Sequence, residues 1–263
     1  MITPLIKAVL RAVATAVKKN YGVKKYLFDV ALKDELADYY DHEYYQGYAH
    51  INKAMTIARR TFRAGEVIVD VGGADGTTPT LFASNFPGTT VWVFEPIAEN
   101  IRAIERIAAS TPAIRLIPKA VGSTEGSSVI HKAERITSSS LFELNNDKDS
   151  AVFADILKET GTETISLTTL DATIPSDQTV MILKIDVQGY ELEVLTGGAA
   201  TLARTRLIVL EMNNHDGYKG APKYYTIDEH LRAHGFLLFD MFPSLKDNGQ
   251  LKEWDAIYIN TRL

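Results

Sequence analysis

The 263-residue sequence contains no cysteine. That absence removes disulfides, thiolate nucleophiles, zinc-finger ligands and iron–sulfur clusters together. Neither sign of charge dominates: 28 lysines and arginines face 33 aspartates and glutamates, a net charge of -5, with no long block of one sign. A dedicated nucleic-acid binder needs a concentrated basic track, so no nucleic-acid partner is expected. Long apolar runs are missing too. The longest uncharged tract, residues 76–94, is broken by Pro79, Asn85, Pro87 and Gly88, which argues against a transmembrane span. The first residues carry Lys7 and Arg11 inside their apolar pattern and show no small-residue cleavage site. A secretory signal is therefore not expected, and a cytoplasmic location is.

What remains is an ordinary globular composition, 46% hydrophobic and 23% charged, long enough for one large core. The first sixty or so residues read as helices broken near residues 20–22. Leu5, Ile6, Val9, Leu10, Val13 and Val17 recur there at helical spacing, with Lys7, Arg11, Lys18 and Lys19 elsewhere. A terminal helix packed on its own domain is the simpler reading; contact with a membrane surface, and a homo-oligomer formed through these helices, stay open. Residues 1–60 are expected to form an N-terminal helical cap and residues 61–263 the main domain. Tyr39, His42 and Tyr45, in a stretch rich in tyrosine and histidine, are candidates to line a substrate cleft, although a packed helix seam explains them as well.

From residue 67 the chain alternates. Strands are expected at 67–71, 90–94, 114–117, 180–185 and 206–211, with helices at 77–85, 97–109 and 192–202, the last interrupted at Gly197-Gly198. Residues 129–130 and 165–167 read as short additional strand segments around a polar stretch. Residues 225–234 read as a helix, 236–239 as a strand and 256–259 as its antiparallel partner. Alternating β and α units predict a mostly parallel sheet with helices on both sides.

The first strand runs into Gly72-Gly-Ala-Asp-Gly76. Glycines there permit a tight turn and close approach of a ligand to the following helix. Glu95, 23 residues after Gly72 at the end of the second strand, is placed to accept hydrogen bonds from ribose hydroxyls. The turn is not a Walker loop, because no Gly-Lys followed by Ser or Thr ends it. It also lacks the central glycine of the dinucleotide fingerprint, and Asp75 would be an awkward neighbour for two phosphates. A cofactor without phosphate and bearing a positive sulfonium suits this turn better.

At these residues the sequence resembles the class I S-adenosylmethionine-dependent methyltransferases, and more specifically the FkbM family. Val67-Ile-Val-Asp-Val-Gly-Gly-Ala-Asp-Gly76 is similar to the first cofactor motif, with Gly73-Ala-Asp75 departing from the commoner form, and Phe94-Glu-Pro96 to the second. Leu183-Lys-Ile-Asp-Val-Gln-Gly-Tyr-Glu191 resembles the family's most distinctive segment; Ser138-Ser-Ser-Leu141 and Thr169-Leu-Asp171 resemble further features. The likeness spans roughly residues 65–215. It implies a three-layer Rossmann-like fold with a mostly parallel seven-stranded sheet, an antiparallel C-terminal strand and added N-terminal helices. It also implies methyl transfer from S-adenosylmethionine to a hydroxyl of a sugar, glycan or secondary metabolite. By that analogy Asp70, Gly72, Gly73 and Gly76 line the cofactor, Glu95 with Pro96 holds its ribose, and Asp186 lies near the methyl group.

An alcohol becomes an effective nucleophile when a base takes its proton as the new bond forms. Asp186, Glu211 and His215 each follow a strand and are the candidate bases, with position not distinguishing them. No metal is expected; Mg²⁺ held by Asp186 and Glu211 with water and substrate oxygens is the chemical alternative. His230 and His234 lack a third ligand and read as a helix face or C-terminal cap. Ser139, Asn213, Asn214 and Tyr218 offer polar contacts to a small-molecule or glycan acceptor. An NAD-dependent oxidoreductase and an inactive cofactor-binding module are the competing readings.

Overall fold

In this computed structural model, residues 48–134, 136–145, 158–247 and 249–263 are described. Tyr39, His42, Tyr45 and the expected amphipathic first helix lie outside them. The chain divides into two compact units, Met1–Lys53 and Ala54–Leu263. Helix α1 spans Ala49–Thr61.

Uninterrupted apolar runs become the central strands because each can be buried on both faces. They are β1 (Val67–Val71), β2 (Val91–Phe94), β3 (Ile114–Ile117), β7 (Val180–Ile185) and β8 (Thr205–Asn213). Helices α2 (Thr77–Asn85) and α3 (Ala98–Ala108) connect β1 to β2 and β2 to β3, and α5 (Glu191–Thr196) with α6 (Ala199–Leu202) connects β7 to β8. Helix α7 (Tyr224–Ala233) then leads into the long pair β9 (Phe236–Asp247) and β10 (Gln250–Asn260). The sheet order is β3-β2-β1-β7-β8-β10-β9, with only β10 antiparallel to its neighbours. Strand order proceeds outward one way from β1 and the other way from β7. Right-handed crossovers then put their helices on opposite faces, and the reversal lies between β1 and β7, where such sheets bind ligands.

Register shows how the faces differ. Val69, Val71, Leu183, Ile185, Ile208, Leu210, Ala256 and Tyr258 join Val194, Leu202, Ile227 and Leu231 in one continuous apolar core. The other face is apolar at mid-strand, where Ile68, Ile182 and Leu207 lie in register, and polar further along, where Asp70 pairs in register with Lys184 and Glu211 with Asp255.

One expectation needs correction. Residues 129–130 and 165–167 are not short segments but parts of β5 (Gly126–Ala133) and β6 (Glu159–Thr168), which with β4 (Ala120–Val121) form a separate three-stranded sheet in the order β4-β6-β5. Helix α4 (Leu170–Thr173) follows, with the Thr169 hydroxyl accepting the Ala172 N–H at 3.0 Å. Asp171 reaches across to accept the N–H groups of Ala200 and Thr201, at 3.0 and 2.7 Å. Helix capping thus accounts for the Thr169-Leu-Asp171 motif. Among the described residues no helix is long and apolar enough to cross a membrane.

Gly197 shows a close approach rather than a special conformation. Its φ of -77° is ordinary, yet a Cβ there would lie 2.0 Å from the Gly122 carbonyl oxygen. Gly197→Ala must therefore push the α5–α6 junction off the strand β4 turn. A loss of about 3 kcal/mol is expected from overpacking against backbone, read by urea unfolding; a loss below 0.5 kcal/mol would show that the turn yields freely.

Candidate active site

The site is built where β1, β2, β7 and β8 end. Gly72 and Gly73 both donate N–H to the Phe94 carbonyl, at 3.0 and 3.1 Å, so the glycine turn is pinned to the end of β2. Gly72 has φ 87°, and a Cβ there would sit 2.0 Å from the Asp186 carbonyl oxygen, so this position needs glycine on both counts. Ala74 also adopts positive φ, at 46°. Its N–H is held at 2.9 Å by Glu95 Oε2, while Glu95 Oε1 accepts the Ile97 N–H at 2.9 Å. Burial raises the Glu95 carboxyl above its usual range, against the pull of those N–H donors. The Asn100 side chain also bonds this carboxylate, which leaves one acceptor position for a further donor. Pro96 follows, half-buried. Asp75, exposed, accepts the Thr77 N–H at 2.9 Å and acts as a turn residue at the start of α2.

Lys184 ties the first strand to the seventh. Its ammonium donates to the Gly72 carbonyl at 2.8 Å and lies 3.2 Å from Asp70 and 3.6 Å from Asp186. Burial alone would depress this amine, but the two carboxylates hold it above its ordinary value. Asp70 is fully buried, and burial pushes its carboxyl up to about 6 against the attraction of Lys184.

Asp186, Glu211 and Tyr218 are brought together by a residue the sequence reading missed. Gln188 Nε2 donates to Asp186 Oδ1 at 3.0 Å and to Glu211 Oε2 at 2.9 Å, and its Oε1 lies 2.8 Å from the Tyr218 hydroxyl. Asp186 reaches solvent, its side chain 44% exposed. Burial raises Glu211 well above its ordinary range, and the charges of Glu253, Asp186, Glu191 and Asp255 raise it further. Burial likewise pushes Asp255 up to about 8. The position between Asp186 and Glu211 is taken by an amide nitrogen, which does not fit a Mg²⁺ ion there. Among the described residues no three acidic or histidine side chains are arranged to hold a metal.

His215 is buried in the loop after β8. Its Nδ1 accepts the Gly217 N–H at 3.0 Å and its Nε2 lies 3.5 Å from Glu253. Asn213 ends β8, buried and in register with Glu253, and Asn214 donates its N–H to the Lys252 carbonyl at 2.7 Å. Ser139 is buried, its hydroxyl accepting the Ala133 N–H; the neighbouring Ser140 hydroxyl donates to the Gln188 carbonyl at 2.7 Å. His230 and His234 stack at 4.4 Å at the end of α7, as a helix-terminal pair.

A seven-stranded sheet of this order, with a glycine turn after β1 and an acid ending β2, is the Rossmann-like class I methyltransferase fold. The model of the methyltransferase FkbM domain matches residues 70–238, and the chain belongs to that family. It is similar to the 2-O-methyltransferase NoeI of Sinorhizobium fredii (strain NBRC 101917 / NGR234), 24% identical over 206 residues that cover 75% of this chain and 80% of that one. Among solved structures, a TehB-like SAM-dependent methyltransferase from Corynebacterium glutamicum ATCC 13032 is 13% identical, covering 94% of this chain and 100% of that chain at a TM-score of 0.42. Magnesium protoporphyrin IX methyltransferase from Synechocystis PCC 6803, with bound SAM, is 12% identical, covering 91% and 95% at a TM-score of 0.43.

Glu191 gives the site a measurable pH dependence. Fully buried, it accepts the N–H groups of Val187 and Gly189 through Oε1, and burial pushes it from 4.5 up to about 7. A carboxyl raised on folding costs nothing while protonated in both states, below about 4.5. Its penalty grows as pH rises and is complete above about 7, at about 3 kcal/mol. Glu191→Gln keeps an oxygen for both N–H donors and cannot ionise. Urea melts from pH 4.5 to 8 should show the wild type losing about 2–3 kcal/mol more than the variant; parallel pH profiles would sink this assignment.

Proposed function

We propose that the protein is an S-adenosylmethionine-dependent O-methyltransferase acting on a hydroxyl of a sugar, glycan or secondary metabolite. The observation that carries this reading is the solvent-reaching carboxylate of Asp186, on a residue whose backbone carbonyl packs against Gly72 and whose carboxylate shares the Lys184 ammonium with the Gly72 carbonyl. It puts a proton acceptor beside the place where this fold holds its cofactor. Membership of a methyltransferase family and similarity to a protein named a 2-O-methyltransferase support the chemistry and the oxygen acceptor.

The residues fit such a cofactor. Glu95 keeps an acceptor position for a ribose hydroxyl at the end of β2, beside the backbone of the glycine turn. The carboxylates of Asp70 and Asp186 outnumber the one ammonium of Lys184 beside them, a balance that favours a cationic sulfonium over a pyrophosphate. When bound, the cofactor supplies an electrophilic methyl group. The chain's own part is to hold Asp186 at the acceptor, with Glu211 behind it and Lys184 fixing the carboxylate's second oxygen. Ser139, Asn213, Asn214 and Tyr218 stand as acceptor contacts, and His215 as a base of secondary rank.

Calorimetry with S-adenosylmethionine, S-adenosylhomocysteine, NAD⁺ and NADH tests this directly. The two adenosyl compounds should bind and the nicotinamides should not, and Glu95→Ala should weaken adenosyl binding about tenfold or more, the scale of one charge-assisted hydrogen bond. Transfer of labelled methyl to a panel of methyl glycosides then tests the acceptor class. Folded protein that binds none of the four, or only a nicotinamide, overturns the proposal.

A further inference from the structure

The geometry points to Gln188 as a positioning residue, whose side-chain amide ties Asp186 and Glu211 into one proton-accepting pair for the acceptor hydroxyl. This rests on the O-methyltransferase reading above. In that reaction the acceptor oxygen bonds to the methyl carbon as the carbon–sulfur bond breaks with its electron pair on sulfur. The hydroxyl proton must pass to a base, and the pair is the base.

Three observations carry it. First, the amide orientation is dictated. Both Nε2 hydrogens are used, one on each carboxylate, and Oε1 meets the Tyr218 hydroxyl, which also reaches the Ser138 carbonyl at 3.0 Å; the flipped amide would set an oxygen against both carboxyl groups. Second, the backbone is held in a costly state for the sake of the side chain. Gln188 has φ 57°, in the left-handed region that glycine or asparagine adopts more readily. The Ser140 hydroxyl on the Gln188 carbonyl fixes that conformation. Third, the two carboxylates differ in setting. Asp186 reaches solvent and is anchored by Lys184, whereas Glu211 faces Glu191, Glu253 and Asp255 from α5 and β10. A proton arriving on Asp186 raises the charge of the pair by one and removes one of the charges that hold Glu211 protonated, so the two carboxyls act together. The amide donors stabilise whichever member is anionic.

The test uses the full chain with ¹³C-labelled aspartate and glutamate carboxyl carbons. In the wild type the Glu211 signal should titrate above the ordinary carboxyl range. In Gln188→Met, which keeps volume and removes the donors, the Glu211 midpoint should rise further, the effect of a lost hydrogen bond to the charged form. Gln188→Asn suits the left-handed backbone but cannot span both carboxylates. It should shift in the same direction, and it serves if the methionine variant folds poorly. On a methyl glycoside substrate, kcat should fall about tenfold or more, with KM for S-adenosylmethionine within twofold. Titrations and kcat unchanged in folded variants overturn the role of Gln188. Absence of S-adenosylmethionine binding by the wild type overturns the methyltransferase reading instead, so the two failures are separable.

Discussion

The geometry of the site depends on one buried ammonium. Lys184 occupies the strand Val180–Ile185, whose other members are all apolar, and stands in register with Asp70 on β1. Desolvating a lone lysine or a lone aspartate at that depth is costly, and each is tolerable only because the other is there. The same ammonium reaches the Gly72 carbonyl and Asp186. One cation therefore sets the glycine turn, the first motif's acid and the acid after β7 at fixed distances. Gly72 completes the arrangement, since the Asp186 carbonyl lies where a side chain would begin.

Placing so many carboxyls at one sheet edge works against folding. Burial and mutual repulsion raise Asp70, Glu191, Glu211 and Asp255 together, so each would be more comfortable protonated. The opposite face of the same strands offsets this with a continuous core from Val69 on β1 to Tyr258 on β10. The division follows from the two-residue period of a strand: stability comes from one set of alternate residues, chemistry from the ends of the other.

The same period explains what the sequence made legible. Residues 67–71, 77–85, 114–117 and 180–185 were read with their observed bounds, because apolar runs punctuated by glycine or proline leave little choice. Strands β5 and β6 were underestimated. Gly126–Ala133 and Glu159–Thr168 are polar on most positions, with Ile130, Ala133, Ile165 and Thr168 their buried residues, so neither shows strong apolar alternation. In the site, Asp70, Gly72, Asp186, Glu211 and Tyr218 were singled out from motif and strand end. Gln188 was quoted only as part of a motif. Its left-handed backbone leaves no mark on a non-glycine residue, and its partners are brought together only by the β7–β8 pairing. Asp255 and Glu253 were invisible for a related reason: they meet Glu211 and Asn213 through antiparallel register. Alternating acids just before the expected last strand, 256–259, were the signal that a register argument would have used.

The inserted three-stranded sheet bears on the site through the same glutamine. Its apolar contacts are modest, with Ile97, Ala120, Ile130 and Ile165 in one small cluster. The segment after β5 is instead held by polar bonds. Ser140 binds the Gln188 carbonyl, Asn145 donates to the Gly217 carbonyl, and the Lys219 N–H returns to Glu143. Tyr218, packed on Leu144, closes the ring at the Gln188 amide. Hydrogen bonds are directional where apolar contact is not. The insertion is thus located by a few oriented bonds converging on a residue that also touches both carboxylates, and a displacement of either segment changes the geometry of the acids.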